Sequence, residues 1–193
     1  MELKKILEKR RSIYNLGKNL KVTHEEIISL VKDLTELVPD AFDMKSARVV
    51  ILFDGDHHLL WDTVSDVFEG KIPKEKIESF KNGAGTILYF YDKNVVQGLQ
   101  ERFPMYANNF PVWANQANGM LQFTIWSGLA EIGVGANLQH YNPVIDKRVK
   151  EVFNIPENYE FIAQMPFGSI ELEAPLKEKE NIDKRVSVIT TKK

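Results

Sequence analysis

Residues 113–143 read WANQANGMLQFTIWSGLAEIGVGANLQHYNP, and their first twenty positions decide the architecture. Over 113–132, Met120, Leu121, Phe123, Ile125, Trp126, Leu129 and Ile132 surround a helical axis instead of forming one stripe. A helix that is apolar all round must be buried on most sides. In a chain of 193 residues the simplest source of that extra cover is a second copy of the chain; a central helix of a monomer is the alternative. Gly119 and Gly128 lie inside the run, where each costs about 1 kcal/mol against alanine. They make sense where another backbone or a ligand approaches closely.

Downstream, GVGANLQH (133–140) leads to Asn142 and Pro143, residue types suited to a helix N-cap and first turn. Ile145, Val149, Val152 and Phe153 give the helix that follows one buried face. Residues 161–167 read as a strand and the charged stretch 171–181 as surface. VSVITT (186–191) then regains strand character. A strand beyond a polar arm must pair with some sheet edge, and the edge of a partner subunit is open to it.

Upstream, residues 2–9 form a short helix that ends at Arg10-Arg11-Ser12, and Thr23 with Glu26 has the spacing of a capping box. Ile27, Ile28, Val31, Leu34, Leu37 and Val38 then share a helical face, stopped by Pro39 and Asp40. ARVVILF (47–53) and GTILYFY (85–91) are nearly continuous apolar runs, the pattern of strands buried on both faces. Between them Leu59, Leu60, Trp61, Val64 and Val67 mark a helix. With no internal repeat, low-complexity tract or linker, residues 1–193 read as a single α+β domain with a reaching tail.

Composition closes off several chemistries. There is no cysteine, which removes disulfides, thiolate catalysis, iron–sulfur clusters and thiolate zinc sites. Basic and acidic residues number 25 and 27 and are interspersed, so no field favours nucleic acid or an anionic membrane. MELKKILEKRRS is charged and amphipathic, unlike a secretory signal, and no apolar run reaches the roughly 20 residues that span a bilayer. The reading is cytoplasmic. No GxSxG elbow or Walker motif occurs. GVGANL lacks the third glycine of a dinucleotide fingerprint and follows a helix where that fingerprint needs a strand. Asp54, Asp56, His57 and His58 cluster after a strand end and read as a solvated helix start, with a metal site as the lesser alternative.

Ordered along the chain, RRSIYNLGKN (10–19), VPDAFDMKSARVVILF (38–53), GAGTILYFYD (83–92), FPVWANQANGMLQF (110–123), GVGANLQHYNPVID (133–146) and AQMPFG (163–168) resemble the nitroreductase family, and in particular its shorter bacterial branch. The most specific part is LQHYNP with the preceding GVGAN. The resemblance implies a mixed central sheet flanked by helices in an intertwined homodimer. The C-terminal strand is exchanged to the partner, and FMN is bound at the interface. It also implies an NADH- or NADPH-dependent oxidoreductase that reduces nitroaromatics, quinones or similar flat acceptors by a ping-pong mechanism. A flavin-binding sensor without turnover is the alternative.

By the same resemblance, Arg10, Arg11 and Ser12 hold the FMN phosphate and ring edge, and Lys184 and Arg185 add C-terminal phosphate ligands. Forked guanidinium donors suit a near-dianion. Asp43, Met44 and Lys45 lie in the segment 39–45 that approaches the flavin from the other subunit. Leu138, Gln139 and His140 pass the isoalloxazine, with a backbone N–H near His140 facing flavin N5. Phe110, Trp113 and Phe123 are candidates for the aromatic wall of the acceptor pocket, each also readable as core. No side chain acts as nucleophile and no metal is expected. Two positions depart from the pattern. Asp43-Met44-Lys45 stands where many members have Asn-Ser-Gln, with Lys45 able to supply a charge near the flavin. Tyr14 stands where many have a basic residue.

Overall fold

A computed structural model describes residues 1–178 and 180–190. The elements are α1 (Glu2–Lys9), β1 (Leu16–Gly17), α2 (His24–Leu37), β2 (Ala47–Phe53), α3 (Asp54–Val67), α4 (Lys74–Lys81), β3 (Gly85–Asp92), α5 (Lys93–Arg102), α6 (Phe110–Glu131), β4 (Gly135–Ala136), α7 (Asp146–Phe153) and β5 (Tyr159–Ile170). Short 3-10 turns occupy Ala41–Asp43, Pro104–Tyr106 and Ile182–Lys184. The sheet runs β1-β5-β3-β2, with β4 paired to β5. These ladders are antiparallel, and a parallel bridge joins Ser12 to Ala136.

Alternation along the two central strands builds a core on each face. Ile87 and Tyr89 of β3 pack with Ala163, Met165 and Phe167 of β5 against Ile27 and Val31 of α2 and Leu121, Ile125 and Leu129 of α6. Leu88 and Phe90 face the other way, onto Leu60, Trp61 and Val64 of α3, Ile77 and Phe80 of α4, and Ile145 and Val149 of α7. Every residue of β3 is therefore buried. The expected capping box is formed: Thr23 Oγ1 accepts from Glu26 N at 3.2 Å, and Glu26 Oε2 accepts from Thr23 N at 2.7 Å.

The helix expected over 113–132 spans Phe110–Glu131, and Gly128 has a definite reason. A Cβ there would meet Leu34 Cδ1 at 2.7 Å and Leu30 Cδ1 at 3.3 Å, so the glycine lets α2 lie against α6. Among the described residues nothing approaches Gly119, and Val112, Met120 and Phe123 are exposed on the same helix, so one side of α6 has no cover from them.

Three expectations need correction. β2 is half-buried along most of its length because it is the edge strand. α7 begins at Asp146, with Ile145 in the cap position. Asn142 does not cap it, because its amide is drawn across to the sheet, donating to the Phe161 carbonyl at 3.1 Å as well as to Asp146 Oδ1 at 2.7 Å. His57 is not solvated; it is fully buried at the start of α3, hydrogen-bonded through Nδ1 to Thr86 Oγ1 at 2.8 Å. The described residues 186–190 pair with no strand of the chain's own sheet and stand exposed, Ile189 almost wholly, which leaves the edge of a partner subunit open to them; Thr191 lies outside the described residues.

Candidate functional site

α1 ends where Arg10 takes an extended backbone, its amide still donating to the Ile6 carbonyl. The chain then lies along β4. Ile13 N donates to the Ala136 carbonyl at 2.9 Å, and Asn137 Nδ2 donates to the Ile13 carbonyl at 2.8 Å. Approach this close requires glycine at 135, where a Cβ would sit 2.8 Å from Ile170 Cγ1 and 3.1 Å from Ile13 Cγ2. Because β4 pairs β5, the Arg10-Arg11-Ser12 segment is anchored to the sheet and not left on a loose terminus.

The electrostatics of that segment are unbalanced. The Arg10 guanidinium lies 4.3 Å from the Trp126 ring centroid and 5.8 Å from that of Phe123, a cation–π placement that partly desolvates it. Burial, and then the neighbouring Arg11 cation, push the Arg10 pKa below its ordinary value. Its Nε is buried without a hydrogen-bond partner. Arg11 donates from Nη2 to the Pro175 carbonyl in the tail at 2.6 Å, which leaves further guanidinium donors free to bind elsewhere. Two adjacent cations, one with an orphaned buried donor, make a site that an anion would complete.

Next along the chain, Gln139 exchanges both backbone hydrogen bonds with Gln164 of β5, at 2.7 and 3.0 Å. Alternation in an extended chain turns the flanking amides of Leu138 and His140 away from β5. His140 is exposed, and Leu138 and Gln139 are half-buried. β4 thus links the two segments, Ser12 bridging to its Ala136 and residues 138–140 following shortly after its end. Tyr14 follows that segment with its ring exposed.

The remaining expected site residues lie elsewhere. Met44 is buried with Phe110 and Ala114. Phe110 and Phe123, expected in one wall, are thirteen residues apart on α6, about 20 Å at 1.5 Å per residue. A single chain cannot bring them together. Phe110 is also fully buried, so it is core and not wall. Trp113 is half-exposed and stacks on Phe42 with centroids 5.7 Å apart. Lys45, expected to lend a charge, is paired with Asp43 at 3.0 Å. Asp43 holds the Lys45 ammonium above its ordinary value, and the pair is neutral as a unit. Lys184 and Arg185 occupy an exposed turn in the tail.

Phe42, inside the segment 39–45, has no signal of its own in the sequence. Its backbone is left-handed at φ 59°, as are Asp43 at 49° and Lys45 at 51°, a conformation that aspartate tolerates but phenylalanine and lysine do not announce. The turn is held by Asp40 Oδ2 accepting from Lys45 N at 2.6 Å. The Phe42 ring is wedged among Phe103, Tyr106, Phe110 and Trp113. Among the described residues, no three His, Asp or Glu side chains gather as metal ligands.

Known proteins resemble this chain in sequence and fold. The model of the nitroreductase family matches residues 7–169. HBN1 of Saccharomyces cerevisiae, a protein named for the same family, is 34% identical over 168 residues, 86% of either chain. The nitroreductase CinD of Lactococcus lactis, solved with chloramphenicol, superposes with a TM-score of 0.92 at 41% identity, covering 96% of this chain and 98% of its own. The fold also recurs, at 15% identity and a TM-score of 0.75, in a protein of Exiguobacterium sibiricum solved with FMN, with 97% of each chain covered. The chain belongs to the nitroreductase family.

Proposed function

We propose that the protein is an FMN-dependent oxidoreductase that takes electrons from NADH or NADPH and reduces flat, electron-poor acceptors such as nitroaromatics and quinones. The observation that carries this reading is the Arg10-Arg11 pair. It is anchored on β4, partly desolvated and left with a buried donor that has no acceptor. A phosphate monoester, close to a dianion at neutral pH, supplies the missing acceptors. The residues present therefore fit FMN.

Bound FMN would supply the redox chemistry, accepting a hydride and passing electrons on in two half-reactions, hence ping-pong kinetics. The chain's own part is placement and electrostatics. Arg10 and Arg11 neutralise the phosphate, and Ser12 donates beside them. Leu138, Gln139 and His140 present backbone from a stretch pinned to β5. Lys184 and Arg185 reach the phosphate from the tail, and Tyr14 leaves its side open. Asp43, Met44 and Lys45 with Trp113 come from the second subunit, opposite Phe123.

The homodimer in this reading accounts for the uncovered surfaces. A groove of about 640 Å³ lies between α2, β2 and α6, lined by Ile28, Val31, Leu37, Val49, Ile51 and Leu121. Leu37 is 75% exposed within one chain, and the apolar residues Val186, Val188 and Ile189 stand free. We place the tail of one subunit against the β2 edge of the other. Among the described residues no helix is long and apolar enough to cross a membrane, and the cysteine-free composition fits the cytoplasm. CinD has also been solved with 4-nitrophenol and with nicotinic acid, which supports a pocket for small planar rings in this chain.

The test is an absorption spectrum of the purified protein, then anaerobic addition of NADH and NADPH separately. A flavin spectrum that bleaches with either nucleotide and recovers with a quinone or nitroaromatic is the expected result, and it names the donor. Bound flavin that neither nucleotide reduces would move the protein to a sensor role. Colourless protein that takes up no FMN would overturn the proposal.

A further inference from the structure

Behind the candidate site runs a chain of side-chain amides to which no role has been given. Asn137 is fully buried on the strand side of β4. Its Nδ2 donates to the Ile13 carbonyl at 2.8 Å, and its Oδ1 accepts from Gln139 Nε2 at 2.7 Å. Gln164, also fully buried, accepts at Oε1 from Tyr141 N at 3.0 Å and donates from Nε2 to Asn142 Oδ1 at 2.7 Å. The orientations are forced. A backbone carbonyl only accepts, so the Asn137 NH₂ must face Ile13 and its oxygen must face Gln139. Likewise the Asn142 NH₂ faces the Phe161 carbonyl, leaving its oxygen for Gln164.

We infer that Asn137, supported by Gln139, is the positioning residue that sets the register between the phosphate-binding segment 10–12 and the backbone at 138–140. Ile13 is held through both of its backbone polar groups, by the Ala136 carbonyl on its N–H and by the Asn137 side chain on its C=O. Arg10, Arg11 and Ser12 hang from that clamp. The same carboxamide takes the Gln139 side chain, whose backbone is fixed to Gln164. One buried side chain therefore ties together the two segments that must hold opposite ends of one ligand. Placement through supporting hydrogen bonds is where affinity is gained or lost. The inference rests on the FMN reading above.

Asn118 makes a matched control. It is equally buried, donates from Nδ2 to the Phe90 carbonyl at 2.9 Å and accepts from Gln122 Nε2 at 2.6 Å, but it joins α6 to β3 and touches neither segment. The experiment is a fluorescence titration of FMN into flavin-stripped full-length protein for the parent, Asn137→Ala, Gln139→Ala and Asn118→Ala, with thermal unfolding alongside. Asn137→Ala and Asn118→Ala should lose similar thermal stability. Asn137→Ala alone should weaken FMN by about tenfold or more, with Gln139→Ala, which leaves the Ile13 bond, in between. If Asn137→Ala does not fold, Asn137→Ser, which keeps a donor and an acceptor, should fold and still bind FMN more weakly than Asn118→Ala does. FMN binding by the Asn137 variant within twofold of the parent, or an equal loss in Asn118→Ala, would overturn the inference. A parent that binds no FMN would overturn the flavin reading and this one with it.

Discussion

β2 and β3 are written in nearly the same alphabet, ARVVILF and GTILYFYD, and they sit side by side in register from Ala47 opposite Tyr91 to Phe53 opposite Gly85. Yet β3 is buried at every position and β2 at one. β3 has a strand on either side and helices on both faces; β2 has an open backbone edge and a groove alongside it. An apolar run reports how much cover a strand needs. It does not say whether the same chain supplies it. A long apolar edge left open is a liability, and that is the reason we propose a second subunit against it.

The largest expected effect tests that contrast directly. Ile87→Ala, in the middle of β3 with no exposed surface, should cost about 4 kcal/mol in urea unfolding. Ile51→Ala, its register partner on the edge, should cost about 1 kcal/mol in dilute solution, because its side chain is only partly desolvated. If the tail of another subunit covers the groove, the Ile51 cost rises with protein concentration and stays low in a chain ending at Arg185. An Ile51 cost independent of concentration and of the tail would mean that β2 has no partner.

A second effect separates the strands by pH. Thr86 of β3 accepts from Trp61 Nε1 at 3.0 Å and shares a hydrogen bond with His57 Nδ1 at 2.8 Å, and the full burial of His57 favours the neutral imidazole. Burial, with His58 close by, pushes the His57 pKa down from 6.5 to about 4. The unfolded chain therefore binds this proton first as pH falls. The stability that His57 contributes is full above pH 6.5 and is lost between 6.5 and about 4, about 3 kcal/mol in all. Urea midpoints at pH 7.5, 5.5 and 4.5 should fall accordingly, and more gently in His57→Gln. Parallel declines in the two proteins would show that the strand end is not what acid attacks.

The same contrast explains what could be read in advance. The capping box at Thr23, the all-round helix and the central strands follow from local pattern, because composition and period express them without a partner. The family resemblance singles out Arg10, Arg11 and Ser12 as site candidates but not their anchoring, which depends on Gly135 permitting a close approach 125 residues away. Asn142 carries a good cap residue type and was claimed by Phe161 across the sheet instead. Phe42 breaks local preference, with its left-handed backbone braced by Asp40 and four aromatic rings. Phe110 and Phe123 could not be told apart as core and surface by hydrophobicity, which they share. Residues 186–190 have strand chemistry, yet among the described residues they pair with no strand of their own chain.

The smallest effect lies where the two strands are pinned together. Arg48 on β2 donates from Nη2 to Asp92 Oδ2 at the end of β3, at 3.0 Å, and from Nη1 to the Lys45 and Ala47 carbonyls at 2.9 Å each. The Arg48 side chain is 32% exposed and that of Asp92 13%, so the ion pair is partly screened and its net worth is below about 1 kcal/mol. Arg48→Met keeps most of the aliphatic stem and removes the charge. It should cost about 1 kcal/mol at low salt and less at 1 M salt, where the Debye length falls to about 3 Å. Asp92 would keep the bonds from Asn94 N and Asn158 Nδ2, both at Oδ1, while Oδ2 gives up its Arg48 donor, so the carboxylate stays partly satisfied. A loss above about 2 kcal/mol that salt does not change would assign the effect to the two carbonyls. The role of Arg48 would then be to brace the left-handed turn at 42–45, and the charge on the edge strand would serve the site more than the sheet.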